Sequence, residues 1–360
     1  MQSQKKKKSL GFGCEHQMNV RCSICCIVPP YILENLAVNG NTQQREWAFR
    51  TLNVSAQFRG RRNTVGAVNF AVSPGQKRRS VFDAKSNENL PGQLVRSEGD
   101  PPSQDPAVNE AYDGAGATYD LYYQVYERNS IDDKGLRLDS TVHYGVNYDN
   151  AFWNGDQMVY GDGDGEIFQR FTKAIDVIAH ELTHGVTQYE ANLRYYGESG
   201  ALNESFSDVF GILVKQRVKN QTAEQSNWLI GEGLLTSNVK GVGIRSMKAP
   251  GTAYDDPVLG KDPQPGSVDD IYTGSDDNGG VHINSGIPNR AFYLAATEIG
   301  GYAWEKAGKI WYVTLRDRLR SGANFKRGAN ATVQVAGELY GQGSREQKAV
   351  QNAWQTVGVL

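Results

Sequence analysis

The stretch IDVIAHELTHGVTQY, residues 175–189, contains two histidines that lie four residues apart. Its apolar residues recur with the spacing of a helix buried on one face. Residues i and i+4 of a helix share a face, so the rings of His180 and His184 can bind one metal ion, with Glu181 beside it. The alternative is an ordinary helix with two surface histidines, because this five-residue pattern also occurs by chance.

A second helical stretch, GALNESFSDVFGILVKQRV, supplies carboxylates at the same spacing. Its Glu204 and Asp208 are again four residues apart. Packed against the first helix, Glu204 can supply a third ligand, and Asp208 can accept the remaining N–H of a ligating histidine. Two histidines, one carboxylate and one water form an open catalytic zinc site. The two stretches together therefore predict one catalytic Zn²⁺ bound by His180, His184 and Glu204.

A third polar cluster, DNGGVHINSG at residues 277–286, places Asp277 five residues before His282. A turn between them would put the carboxylate beside the ring and fix its tautomer and charge. A cation or strong hydrogen-bond donor at that place can stabilise a developing oxyanion. Taken alone, His282 fits a structural histidine better than a catalytic one.

The composition limits the class of protein. The chain has 360 residues, 39% hydrophobic and 22% charged, with a formal net charge of −2. This suits two or three packed globular units and shows no overall positive field that would favour nucleic acid or an anionic membrane. No apolar run approaches the roughly 20 residues that span a bilayer. We therefore expect neither nucleic-acid nor membrane partners. We also expect a monomer.

The N-terminus carries four lysines, Lys5 to Lys8, followed by SLGFGCEHQ. The lysines imitate the charged start of a signal peptide, but no apolar segment comes after them. We expect no secretory signal peptide, and hence a protein that is cytoplasmic or exported by another route. The cysteine-free remainder of the chain after Cys26 suits a reducing compartment without requiring one.

The chain divides by pattern into three parts. Residues 1–62 form a small helical unit and linker, in which Asn41 caps a helix to about Phe58 and Gln44 completes a capping box. Residues 63–195 are β-rich and end in the helix with the two histidines, and residues 196–360 are mostly helical. This order of elements predicts an α+β fold.

Individual elements follow from local patterns. The predicted strands are VGAVNFAV, SVFDAK, TVHYGVNY and QMVYGDGDG. The predicted loop is RSEGDPPSQDPAVNE, at residues 96–110. The predicted helices, besides those above, cover 107–127, 285–299, 303–320, 328–340 and 344–356.

Together these motifs resemble the thermolysin family of zinc metallopeptidases, from about Asp113 to Leu360. The motifs are NAFWNGDQMVYGDGDG (150–165), IDVIAHELTHGVT (175–187), ESGALNESFSDVFG (198–211), IRSM (244–247) and DNGGVHINSGI (277–287). The resemblance implies a β-rich N-terminal domain and a helical C-terminal domain. It also implies that the zinc-binding helix lies at the floor of the cleft between them.

The resemblance also implies a role for each matching residue. The zinc ligands are His180, His184 and Glu204, and the general base is Glu181. The oxyanion is stabilised by Tyr195 and His282, and Asp277 orients His282. The residues that hold the two zinc histidines or contact the substrate backbone are Asn203, Asp208, Asn150, Ala151 and Arg245. The apolar pocket that accepts the residue after the cleaved bond (S1′) is formed by Phe168, Phe171, Val177, Ile230 and Ile244, all of which also suit ordinary core.

The implied activity is zinc-dependent endopeptidase cleavage on the N-terminal side of Leu, Phe, Ile or Val. One alternative is a zinc aminopeptidase with the same ligand set, although the GxMEN signature of that class is absent from the sequence. The other is a catalytically inactive zinc protein that binds peptides, although every residue needed for the chemistry is present.

A calcium site is less clear. Asp176 and Glu232 match the family's double calcium site, but Lys215, Asn227 and Leu229 stand where that site needs acidic residues. We therefore expect no double site, while a single calcium ion stays open. The turn Asp162-Gly-Asp164-Gly fits a tight turn better than a calcium loop, because no EF-hand pattern comes after it.

The cysteines all lie near the N-terminus. Cys14 and His16 with Cys22 and Cys25 could form a separate small zinc module, although their spacing is short for one. The next run, Pro29-Pro30-Tyr31-Ile32-Leu33, instead resembles the short inhibitory propeptide of protealysin-like precursors. Such a segment can occupy the substrate cleft until it is removed by a cut between Arg59 and Val81. Within it, Cys22, Cys25 or Cys26 could act as a cysteine switch that brings a thiolate to the zinc.

Overall fold

The computed structural model describes residues 25–60 and 75–360, apart from the side chains of Cys25 and residues 58–60. Several predictions from the sequence lie outside these residues. They are the lysine run, the module of Cys14, His16 and Cys22, the strand VGAVNFAV and most of the linker.

The strands of the described residues are short. They are β1 (Cys25–Cys26), β2 (Arg79–Asp83), β3 (Gln93–Ser97), β4 (Leu138–Val142), β5 (Ala151–Trp153), β6 (Met158–Tyr160), β7 (Leu229–Ile230), β8 (Arg245–Ser246), β9 (Asp255–Asp256) and β10 (Gly260–Lys261). The first six form one sheet in the order β1-β5-β6-β4-β2-β3. In it β4 is parallel to β2 and β6, and the other pairs are antiparallel.

Helices make up most of the remaining regular structure. They are α1 (Pro30–Asn39), α2 (Thr42–Gly60), α3 (Pro106–Tyr126), α4 (Ile175–Tyr189), α5 (Gly197–Val218), α6 (Asp276–Asn284), α7 (Gly286–Ile299), α8 (Ala307–Val313), α9 (Phe325–Tyr340) and α10 (Arg345–Thr356). The sheet lies in the N-terminal half and the later helices in the C-terminal half, which confirms the predicted α+β class. The boundaries at 62/63 and 195/196 stay predictions.

The helices follow the sequence patterns closely. Asn41 begins α2 as predicted: its side chain accepts hydrogen bonds from the amides of Gln43 and Gln44, at 3.0 Å each. The side chain of Gln44 accepts one from the Asn41 amide at 2.9 Å, so the capping box is complete. The helix predicted over 303–320 differs, because it begins only at Ala307 and closes with a π-helical turn, Thr314–Arg318.

The strand predictions were less accurate. The predicted strand TVHYGVNY ends at Val142, because His143 and Asn147 adopt left-handed backbone angles of φ 54° and 49°. The predicted loop at 96–110 begins inside β3 and ends inside α3. Its Asp105 caps α3 by accepting from the Ala107 amide at 2.9 Å, and Pro106 occupies the first helical turn.

The packing of α4 against α5 places the polar residues of both helices together. Gly211 of α5 lies so close to α4 that a Cβ atom there would sit 2.7 Å from the carbonyl oxygen of Asp176. A larger residue would push the helices apart, so this glycine sets the helix separation on which the metal ligands depend.

A histidine joins two loops of the N-terminal half. The Nδ1 atom of His143 lies 2.9 Å from Asp162, and its Nε2 atom lies 2.7 Å from Asp105. The hydrogen bond to Asp162 raises the pKa of His143 to about 9, burial acts against this, and Asp105 adds to the rise. Asp164 accepts from the amides of Glu166, Ile167 and Phe168, and this arrangement is a tight turn.

The raised pKa of His143 predicts how stability varies with pH. The folded state binds this proton more tightly than the unfolded state, so the contribution is complete below about pH 6.5 and declines as pH rises through about 9. Because the group is partly exposed, we expect about 1–2 kcal/mol. His143→Asn, which tolerates the left-handed backbone, should lower the free energy of unfolding by this amount at pH 6, measured by urea denaturation. At pH 10 variant and parent should agree; an equal difference at both pH values would contradict this role.

Candidate active site

Three metal-binding side chains meet where α4 packs on α5. Among the described residues, His180, His184 and Glu204 form a buried group whose ligand atoms all lie within 4.8 Å of one another. The two Nε2 atoms are 3.0 Å apart. The Nε2 atom of His180 lies 3.4 Å from Glu204 Oε2, and that of His184 lies 3.3 Å from Glu204 Oε1.

These distances fit a zinc ion. Ligand atoms about 2.0–2.1 Å from a tetrahedral ion stand roughly 3.3 Å apart, which is the separation found here. Glu204 Oε2 is buried and accepts no hydrogen bond from the part of the chain that the structure describes, so it offers an acceptor at the point where an ion would bind. Two imidazoles and one carboxylate are also the ligand types that zinc prefers in catalytic sites. The three residues therefore fit the predicted metal.

Both histidines are oriented by a partner on α5. The Nδ1 atom of His180 lies 2.8 Å from Asp208 Oδ1, and that of His184 lies 2.9 Å from Asn203 Oδ1. Each ring donates its N–H outward, which leaves the Nε2 lone pairs directed at the metal position. Burial alone would raise the pKa of Asp208, but Arg245 and then His180 hold it at about 2. Asp208 is therefore a permanent acceptor.

Glu181 lies beside this group as a buried carboxylate with one unused oxygen. Its Oε2 atom accepts from the Trp153 amide at 3.1 Å, and its Oε1 atom has no hydrogen-bond partner within residues 25–60 and 75–360. Burial raises the pKa of Glu181 to about 8, although the neighbouring His180 acts in the opposite direction. This carboxylate can therefore take up a proton at its free oxygen.

The third polar cluster reaches the same place through an unusual turn. In α6 the residues Asp277 to Gly280 have φ angles between 52° and 78°, a left-handed run that Asn and Gly tolerate. The turn brings Asp277 Oδ1 to 2.6 Å from His282 Nδ1, and Asp277 Oδ2 accepts from the His282 amide at 2.8 Å. The hydroxyl of Tyr195 lies 3.1 Å from His282 Nε2 and also donates to Glu204.

Strand β1 of the N-terminal segment lies along the cleft edge formed by β5. The Ile27 amide donates to the Ala151 carbonyl at 3.2 Å. Asn150 accepts from the Val28 amide at 3.0 Å and donates to the Val28 carbonyl at 3.3 Å. Arg245 donates to the Ile27 carbonyl at 3.1 Å. The backbone-binding residues predicted from the sequence thus all contact this segment.

The propeptide motif comes directly after these contacts. Pro29 is extended, at φ −61° and ψ 147°, and Pro30 opens α1. Leu33 is fully buried and Tyr31 partly so. Burial raises the pKa of Tyr31 well above 10, with Tyr254 adding to the effect. The motif therefore anchors α1 on the protein, while the residues before it fill the cleft.

The apolar pocket residues and the cysteines are placed differently. Phe168, Phe171, Val177, Ile230 and Ile244 are all fully buried and belong to the same apolar cluster as Ile27. Cys26 instead packs in a separate apolar cluster with Val54, Tyr148 and Phe152. Its thiol is not part of the His-His-Glu group. The switch hypothesis is thus left with Cys22 and the side chain of Cys25, which lie outside the described residues.

Four site contacts were missed from the sequence. Asn289 donates to Asp208 at 2.8 Å, and Gln264 donates to the His282 carbonyl at 2.7 Å. The Trp153 amide holds Glu181, and Arg245 holds Asp208 through two hydrogen bonds of 2.8 Å. Of these contacts, only that of Asn289 could have been suspected from the sequence, because Asn289 is a polar residue among the apolar positions of α7.

Lys215 occupies the centre of the region matched to a calcium site. Its buried ammonium donates to the Leu229 carbonyl at 2.8 Å and lies 3.3 Å from Asp176 and 3.1 Å from Glu232. Burial acts to raise the pKa of Glu232, but Asn227 and Lys215 lower it to about 2. A positive charge is therefore already present between the two acidic residues.

Comparison with known proteins agrees with this geometry. The model of the thermolysin metallopeptidase catalytic domain matches residues 56–188, and that of the alpha-helical domain matches residues 191–359. An extracellular metalloprotease of Pectobacterium carotovorum subsp. carotovorum is 52% identical, covering 93% of this chain and 96% of its own. Protease PrtS of Photorhabdus sp. (strain Az29) is 49% identical, covering 92% and 91%. The solved precursor of protealysin, a metalloproteinase from Serratia proteamaculans, is 53% identical with a TM-score of 0.87, covering 93% and 100%.

The hydrogen bond from His184 to Asn203 gives a test of the metal site. Asn203→Ala should weaken zinc affinity about 10- to 100-fold, because the ring loses the acceptor that orients it. The measurement is competition with a chromophoric chelator. Asn352→Ala, on the exposed side of α10, is the matched control and should leave the affinity unchanged. Equal zinc affinity in both variants would show that Asn203 does not contribute to zinc binding.

Proposed function

The chain belongs to the thermolysin family of metallopeptidases, and from that premise we propose that His180, His184 and Glu204 hold its catalytic zinc. The protein is a metalloendopeptidase made with a propeptide. The separations of the three side chains carry the proposal: the two Nε2 atoms are 3.0 Å apart, and each lies 3.3–3.4 Å from one oxygen of the Glu204 carboxylate, which suits ligands of one tetrahedral ion.

Glu181 is the proposed general base. Zinc, when bound, lowers the pKa of a coordinated water to about 7 and polarises the peptide carbonyl. The free Oε1 atom of Glu181 can take the proton from the attacking water, while the Trp153 amide keeps Oε2 in place. The same carboxyl can then pass the proton to the departing amine.

His282 and Tyr195 are the proposed oxyanion stabilisers. The ring of His282 faces the Asp277 carboxylate with Nδ1 and the Cys26 carbonyl with Nε2, at 2.6 and 3.0 Å. Both partners are acceptors, so both ring nitrogens act as donors. Burial opposes this charge, but Asp277 and Glu204 raise the pKa of His282. A charged donor at this position stabilises the negative oxygen that forms when a peptide carbonyl is attacked.

Substrate binding by strand addition follows from the contacts of β5. The Ala151 carbonyl and the side chains of Asn150 and Arg245 supply donors and acceptors for an extended backbone. The fully buried apolar residues behind them support a preference for a bulky apolar residue after the cleaved bond. The proposed substrates are peptides and unfolded protein segments.

We also propose that the protein acts outside the cytoplasm. It is supported by the name of the Pectobacterium relative, an extracellular metalloprotease. None of the helices in residues 25–60 and 75–360 is both long and apolar enough to cross a bilayer.

The absence of a double calcium site is supported by Lys215. A calcium ion between Asp176 and Glu232 would stand where the lysine ammonium now lies, and like charges in a buried site repel strongly. A single calcium ion elsewhere stays open.

Glu181→Gln tests the chemistry. We expect hydrolysis to become unmeasurable, because the amide cannot take up the proton. The loss of a general base alone lowers the rate about 10²- to 10⁴-fold. The assay uses casein and a furylacryloyl dipeptide, with and without a chelator. Metal analysis should still find zinc bound. Full activity in this variant would contradict the role of Glu181 as general base. A requirement for a free α-amine on the substrate would favour the aminopeptidase.

Substitution of Pro30 and Tyr31 by alanine tests the propeptide. We expect earlier appearance of activity or misfolded protein, because α1 loses the residues that anchor it on the protein and hold the preceding strand in the cleft. The measurement follows mass, zinc content and dipeptide hydrolysis of the purified full-length chain over time. The parent should hold one zinc and lose about 60 N-terminal residues as it activates, whereas two zinc ions would support the separate cysteine module. Unchanged maturation in the variant would count against this role.

A further inference from the structure

We infer that the propeptide lies in the cleft in the direction and register of a substrate, with the Cys26–Ile27 peptide bond at the position of hydrolysis. This bond is then a processing site of the chain itself, distinct from the cut between Arg59 and Val81. The inference rests on the proposed function, because it assigns the bond by its contacts with the proposed catalytic groups.

The register follows from the carbonyl groups of the segment. The Cys26 carbonyl lies 3.0 Å from His282 Nε2, the proposed oxyanion stabiliser. The next carbonyl, of Ile27, is held by Arg245, and that of Val28 is held by Asn150. The carbonyl of Cys26 is therefore the one that lies at the catalytic groups. The next amide, of Ile27, donates to the Ala151 carbonyl, which fixes the other end of the same bond.

The side chains agree with this register. A bulky apolar residue, Ile27, comes after the bond and is completely buried in the main apolar cluster. This is the kind of residue that the proposed specificity requires at that position. Strand β1 runs antiparallel to β5, with Cys25 opposite Trp153 and Cys26 opposite Phe152. The Trp153 amide holds the proposed base, Glu181, so the strand that pairs with the propeptide also positions the base.

The cut is an ordinary hydrolysis. One water molecule is consumed and the bond between the Cys26 carbonyl carbon and the Ile27 nitrogen breaks. The water oxygen joins the Cys26 carbonyl carbon to give a carboxylate, and Glu181 passes the two water protons in turn to the Ile27 nitrogen, which becomes an ammonium.

The cut does not by itself free the cleft. Residues after the bond keep their contacts. The amide and the carbonyl of Val28 both bond the side chain of Asn150, and the Asn35 side chain donates to the Leu259 carbonyl at 2.9 Å. At the far end of α1 and the start of α2, Gln44 donates to Glu166 at 2.9 Å. The new N-terminus therefore stays bound, and the nicked chain stays inhibited until the linker is also cut.

The test follows the zinc-loaded full-length chain by intact mass and N-terminal sequencing, beside dipeptide hydrolysis. We expect a fragment that begins at Ile27, formed at a rate that does not change on tenfold dilution, since the bond is held in the same molecule. Hydrolysis of the dipeptide should rise with the linker cut and not with this one. Ile27→Asp should abolish the fragment, Ile27→Leu should keep it, and Val38→Asp, at a position 67% exposed on α1, should leave it unchanged.

A second measurement does not depend on catalysis. In the full-length Glu181→Gln protein, hydrogen exchange should show the Ile27 and Val28 amides protected, because both donate to the cleft. Adding Ile27→Asp should reduce this protection at least tenfold while protection in α5, the control for folding, is retained; adding Ile27→Leu should not reduce it. A chain that hydrolyses the dipeptide but is cut only in the linker, or whose Ile27 amide exchanges freely, overturns the inference and leaves the proposed function intact. A chain that hydrolyses neither the dipeptide nor the Cys26–Ile27 bond overturns the proposed function.

Discussion

The buried ion pair between Arg245 and Asp208 is the interaction on which the rest of the active site depends. Both side chains are inaccessible to solvent and joined by two hydrogen bonds of 2.8 Å. Asp208 orients His180, and Arg245 extends a further N–H to the backbone in the cleft. A single charge pair thus connects the metal position with the position of the peptide. Such a pair adds little net stability, but the loss of one partner costs about 3–5 kcal/mol because the other charge is left buried.

Without β1, strand β5 would be the edge of its sheet, with no partner on its outer side. An unpaired edge presents free amides and carbonyls, and an extended peptide satisfies them as an added strand. The N-terminal segment uses this edge through Cys26, Ile27 and Val28, and α1 and α2 hold it there. The proposed inhibition and the proposed substrate binding therefore draw on the same hydrogen bonds. The propeptide differs from a substrate in the two helices that continue its strand and keep it bound.

Local patterns predicted the helices and much of the site. The i, i+4 spacing of His180 and His184 and the capping box of Asn41 with Gln44 are decided within one or two helical turns, so short windows of sequence reveal them. Strand β1 could not be found in this way, because a two-residue strand has no periodicity and exists only through pairing with β5, more than a hundred residues later in the chain. The same holds for Gln264 and the Trp153 amide, whose roles arise from tertiary packing. The clustered cysteines suggested metal chemistry, yet the backbone carbonyl of Cys26 makes the contact in the site, a group that every residue carries.

Because of Lys215, the charge balance around Asp176 and Glu232 does not depend on the concentration of a free metal ion. Stability supplied by a bound ion rises and falls with the free concentration of that ion, since it depends on mass action. An ammonium that belongs to the chain cannot dissociate or be sequestered, and its local concentration is fixed by covalent bonds. The region around Asp176 and Glu232 is therefore neutralised in the same way in any mineral environment. The fold carries its own counter-ion between these two carboxylates.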